Sequence, residues 1–159
     1  GGNNLGDNSD VNVDGIVPTV LSVTSTTADD YWGIGDDINV TITFSEDVSL
    51  GGSGDLRVTL DTGTQIDISS LSTATTAVGT YTIAADDNSD DLSISSLSLT
   101  GTATLRDAAG NDADLTIGPG DNLDDNDPPF QWWRSMDCYL RFGHLFPDAL
   151  KTKLQDKME

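Results

Sequence analysis

The first 130 residues of this 159-residue chain contain no Cys, Lys, His or Met. Without cysteine there is no disulfide framework, and an extracellular module that lacks one needs another staple. Without histidine or cysteine there is no Ser-His-Asp or Cys-His set, and the case for an enzyme is thin. Positive charge is limited to Arg57 and Arg106 in that stretch. Such a surface argues against nucleic acid and anionic lipid as partners. No apolar run approaches the roughly 18 residues that a membrane-spanning helix needs. The chain starts without Met or a signal sequence, which suits an internal piece of a longer protein, and export is not read from it directly.

Aspartate dominates what is present. Residues 1–130 hold 22 Asp and a single Glu, Glu46, for a net charge of −21. Residues 131–159 carry a net charge of +1 and contain Cys138, His144, both Met, and two of the three Trp. The two parts read as having different origins. Asp and Asn are short, suit turns, and ligate hard cations from loops. Charge this dense repels itself and weakens the compact state unless counter-ions bind. The same composition also suits a surface kept soluble in high salt.

One echo organises the chain. Asn4-Leu5-Gly6-Asp7-Asn8 returns as Asn122-Leu123-Asp124-Asp125-Asn126, at an offset of 118 residues. Two similar acidic segments thus bracket a domain-sized stretch, as linkers do in a tandem array. The expected organisation is an acidic linker at 1–16, a β-domain at 17–120, a second acidic linker at 121–130, and an atypical tail at 131–159.

Within the first linker, Asp10, Asn12 and Asp14 alternate with Val11 and Val13 and precede Gly15. This matches the first half of a D-x-[DN]-x-[DN]-G calcium loop. The match then fails, because the twelfth position is Leu21 and Pro18 lies inside the loop. An EF-hand is not expected, whereas a partial site completed by another loop remains open. From Pro18 onward the pattern is β. Strands are expected around Val20–Val23, Ile38–Phe44, Leu56–Leu60, Ile66–Ile68, Tyr81–Ile83, Leu92–Leu99, Ala103–Leu105 and Leu115–Ile117, from alternating apolar residues between turn signals. Gly51-Gly52-Ser53-Gly54 reads as a flexible turn and lacks the Lys-Ser/Thr of a phosphate loop. Seven to nine short strands with no amphipathic helix before residue 130 predict an all-β, antiparallel β-sandwich.

The segment Thr41-Ile42-Thr43-Phe44-Ser45-Glu46-Asp47-Val48 resembles the "TVTFSE-V" strand of bacterial Ig-like repeats in large surface adhesins, including biofilm-associated and RTX-type proteins. Val23–Asp29, Gly35–Ile38, Leu105–Asn111 and the boundary Val11–Thr19 fit the same pattern, so the likeness covers roughly residues 4–127. It implies an Ig-like sandwich acting as a non-enzymatic extender, with Ca²⁺ at the inter-domain joints and neighbouring repeats as partners, at the cell surface or secreted. Carried over by position, Asp10, Asp14, Asp107 and Asn111 are candidate ligands near one pole. The second linker supplies Asp121, Asp124, Asp125 and Asp127. Asp124 to Phe130 also looks like a shortened cadherin calcium linker, with prolines that stiffen the joint.

Two other functions stay open. The aromatic pair Tyr31-Trp32 suits stacking on a sugar ring or a protein ligand, although such a pair more often plugs the end of a sandwich core. An accessory domain beside a secreted hydrolase is the other. In the tail, Pro147 precedes a short helical pattern with Leu150, Leu154 and Met158 on one face. The tail reads as a non-native or frame-shifted end, a segment of artificial origin, or a C-terminal anchor. Cys138 and His144 are too few to define a metal site.

Overall fold

A computed structural model describes residues 11–124. The expectations for Asp10, Asp125, Asp127 and the helical tail at 131–159 lie outside the described residues.

Alternation of apolar with Ser, Thr and Asp residues suits strands with one face buried and one solvated. Seven form: β1 (Val20–Thr24), β2 (Asp37–Gly51), β3 (Leu56–Leu60), β4 (Gln65–Ile68), β5 (Ala74–Thr82), β6 (Ile94–Leu99) and β7 (Thr104–Arg106). They make two antiparallel sheets, one ordered β1-β2-β5 with β7 also on β2, the other ordered β4-β3-β6. Among the described residues there is no α-helix, and no helix is long and apolar enough to cross a membrane. The fold is an all-β sandwich. Its core joins Val23, Val40, Ile42, Phe44 and Val48 of the first sheet to Leu56, Val58, Leu60, Ile66 and Ile94 of the second.

Several expectations need correction. β2 runs 15 residues, well past Phe44, because a register shift between Thr43 and Val48 lets one strand pair first with β5 and then with β7. β5 begins at Ala74, ahead of the expected Tyr81, since Thr75 and Thr76 face solvent where apolar side chains are not needed. Leu115–Ile117 does not form a regular strand. The Thr116 N–H goes to the Asp114 carboxylate (2.9 Å), which diverts it from a ladder. The segment instead makes an isolated parallel bridge, Thr19 to Asp114.

The 51–54 turn is held by hydrogen bonds to the 100–102 segment. Thr102 N–H donates to the Ser53 carbonyl (2.8 Å), and Asp55 N–H donates to the Thr100 hydroxyl (2.8 Å). Gly54 has φ of 142°, and a Cβ there would overlap the Thr100 carbonyl.

Strand β1 also defines two ends of the sandwich. At its start, Ser45 N–H donates to the Thr19 carbonyl (2.9 Å) and Asp114 N–H to the Pro18 carbonyl (2.8 Å). At its end, Val23 N–H donates to the Asp121 carbonyl (2.7 Å). The chain therefore comes in at one end of β1 and leaves at the other.

Candidate metal centre

Three carboxylates from distant parts of the sequence converge where the chain comes in. Asp14 lies in the exposed leading segment, Glu46 in β2, and Asp107 in the turn after β7. One oxygen from each lies within 4.8 Å of the others.

Local structure accounts for each position. Pro18 is fully buried and anchors the end of the leading segment. The Asp14 carboxylate accepts the Ile16 N–H (3.0 Å), a local turn that Asp forms readily. Asp107 opens a tight turn. Its Oδ1 accepts the N–H groups of Gly110 (2.6 Å) and Asn111 (2.8 Å), and its Oδ2 accepts the Asn111 amide (2.7 Å). Asn111 Nδ2 also reaches the carbonyls of Ile16 (3.0 Å) and Asp14 (3.3 Å). One side chain thus ties the leading segment to the turn. Glu46 sits within the register shift of β2, a bulge-like feature that re-aims side chains.

The electrostatics are unfavourable for three bare carboxylates. Burial raises the pKa of Glu46, and the nearby charges of Asp14 and Asp107 raise it further. Its Oε1 is shielded from solvent and has no hydrogen-bond partner. For Asp107, burial acts to raise the pKa, but hydrogen bonds from the Asn111 side chain and from the backbones of Asn111, Gly110 and Ala109 together lower it. Asp107 is therefore held ionised, and Glu46 is the member of the group under strain.

A pH dependence follows. A raised folded pKa means that the folded state holds the Glu46 proton more tightly than the unfolded chain does. That contribution is fully present below the ordinary 4.5 and is lost as pH rises through the raised value. Asp67, Asp87, Asp107, Asp112 and Asp114 have lowered pKa values, so their contribution is present above the ordinary 3.8 and is lost on further acidification. Without divalent cations, urea melts of the wild type should gain stability as pH falls from 7 toward 4.5. Glu46→Gln should gain less over the same range. Parallel curves for the two proteins would overturn the assignment.

The donor set is entirely oxygen, which suits a hard cation such as Ca²⁺ or Mg²⁺ and not a thiophilic metal. The structure brings Asp14, Asp107 and Asn111 together. Asn12 is exposed. Glu46 was not among the residues expected from sequence. The available signal was its being the only Glu in residues 1–130, amid 22 Asp, since the longer side chain has the reach to cross from a strand to a loop. Asp121 and Asp124 lie outside this cluster, and the Asp121 carbonyl meets β1 near its other end, at Val23. Asp124 Oδ1 is shielded and has no hydrogen-bond partner, while the neighbouring Asn122 is pinned to both backbone groups of Ile94 (2.9 Å each).

Tyr31 and Trp32 do not plug the core. Tyr31 is fully exposed, and Trp32 is partly exposed with its indole N–H on the Ala28 carbonyl (3.0 Å). Tyr81 takes a buried place instead, donating its hydroxyl to Asp87 (2.9 Å).

No protein-family model, curated protein or solved structure matches this chain.

Proposed function

We propose that this chain is a calcium-stiffened, non-enzymatic extender module of a secreted or cell-surface adhesin, working between neighbouring Ig-like repeats. The supporting observation is that Asp14, in the segment leading into the domain, shares a carboxylate cluster with Glu46 and Asp107 of the sandwich body. A cation held by all three cancels their mutual repulsion. It also fixes the leading segment to the domain, which removes freedom from the joint.

Two further features suit an end-to-end array. The chain enters and leaves at opposite ends of β1. Large exposed apolar side chains gather in the leading segment (Val11, Val13, Ile16, Val17) and in the loop after β1 (Tyr31, Trp32, Ile34), so each end of the domain presents apolar surface. Full exposure of Tyr31 also favours a second reading, a carbohydrate- or protein-binding module using the Tyr31-Trp32 loop. A glycan array separates the two, since the extender reading expects no glycan signal from this domain.

The direct test is small-angle scattering from two copies fused in tandem. Calcium should lengthen the maximum dimension and narrow its distribution, and chelation should reverse both. Superimposable profiles with and without calcium would sink the stiffening role.

A further inference from the structure

We propose that the outer edge of β6, with the groove beside it, takes up an extended peptide strand of alternating apolar and cationic residues. This goes beyond the extender role and does not depend on it.

Register fixes which backbone groups of β6 face outward. In an antiparallel ladder, successive residues turn their N–H and C=O to alternate sides. Leu60 N–H donates to the Thr64 carbonyl in the β3–β4 hairpin, whereas Thr100 N–H donates to the Asp55 carbonyl and Asp61 N–H to the Ser93 carbonyl. Even-numbered residues of β3 therefore bond toward β4, and odd-numbered ones toward β6. Arg57 and Thr59 face Ser98 and Ser96. The outward-facing groups on β6 are then those of Ile94, Leu97 and Leu99.

Ile94 already shows how this edge is satisfied. The Asn122 side chain donates to its carbonyl and accepts from its N–H, both at 2.9 Å, as a neighbouring strand would. Beyond that point β6 is, among the described residues, the edge of its sheet. Edge strands are usually guarded by charge or proline. The sequence Ile94-Ser95-Ser96-Leu97-Ser98-Leu99 has neither, and the one irregularity, between Thr59 and Leu60 on the partner strand, lies before Leu97.

A groove of about 620 Å³ runs beside this edge, between Ile94–Leu97 on one side and Asp114–Pro119 on the other. Leu97, Leu115 and Ile117 are partly buried and pack against the core, and they line the groove together with Ser95, Ser96 and Thr116. Edge hydrogen bonds plus pockets for alternate side chains are what strand addition requires.

Charge selects the occupant. Asp114 is the one charged residue lining the groove, and residues 1–130 carry −21. An acidic strand is repelled, and so is a second copy of this chain. A strand with Lys or Arg on its outward face is attracted.

The test uses the full ¹⁵N-labelled chain and an acetylated, amidated hexapeptide alternating Val and Lys. Binding should slow amide hydrogen exchange at Leu97 and Leu99 and shift their resonances. A Val–Asp peptide, and a Val–Lys peptide N-methylated along its ladder edge, should bind at least tenfold more weakly. Leu99→Pro removes an outward N–H that β3 does not use, so it should weaken binding tenfold with the fold intact. If that variant fails to fold, the N-methylated peptide gives the same reading on the wild type. Equal binding of the methylated peptide would overturn the proposal. So would protection of the Leu97 and Leu99 amides before peptide is added, or concentration-dependent self-association through β6.

Discussion

Calcium at a hundredfold excess over its dissociation constant is expected to raise the melting temperature of the metal-free protein by about 10–20 °C. In the proposed role the cation binds the folded state and not the unfolded chain, which adds about 2.7 kcal/mol at that excess. For a domain of roughly 100 residues each kcal/mol moves the midpoint by about 4–8 °C. Only the folded state brings Asp14, Glu46 and Asp107 within 4.8 Å, because they are far apart along the chain. Glu46→Gln should lose most of the calcium increment. Its metal-free melting temperature should not fall, since the carboxyl it replaces is already disfavoured by burial and by Asp14 and Asp107. A calcium shift of equal size in Glu46→Gln, or one matched by NaCl at equal ionic strength, would show that the ion merely screens surface charge.

Phe44→Ala should cost about 3–5 kcal/mol, read as a lower urea midpoint with an unchanged slope. Phe44 is among the largest fully buried side chains of the described residues. It lies opposite Val20 across the β1–β2 pair and belongs to the one core cluster that both sheets share. Truncation leaves a cavity that neighbours held in two hydrogen-bonded sheets cannot close. Phe44 is also two residues ahead of Glu46, on the strand that delivers the carboxylate. A cost below about 1 kcal/mol would mean that the sheets repack freely around this position.

The sequence made most of the strand set legible because alternation is a local property. Val40, Ile42 and Phe44 point inward at every second position, and so do Leu56, Val58 and Leu60. The reading faltered where neighbours outweighed the local pattern. Leu115 and Ile117 alternate like a strand, but Asp114 takes the Thr116 N–H. β5 is longer than its apolar residues suggest because β2 supplies partners from Thr82 back to Ala74. Gly79 in that strand looks like a weakness, yet a Cβ there would come within 2.8 Å of the Ile66 methyl in the facing sheet.

By itself the sequence determined an all-β sandwich, an acidic surface without a disulfide framework, and turns furnished with short oxygen donors. These follow from side-chain period, charge and chain geometry, which act over a few residues. Only the tertiary structure decided which carboxylates meet. It joined Asp14 to Asp107 through Asn111, added Glu46 through the register shift in β2, and left Asp121 and Asp124 out of the cluster. It also left Tyr31 in solvent and, among the described residues, the outer edge of β6 without a partner strand. Such meetings depend on which strands pair and in what register, and no local pattern encodes them.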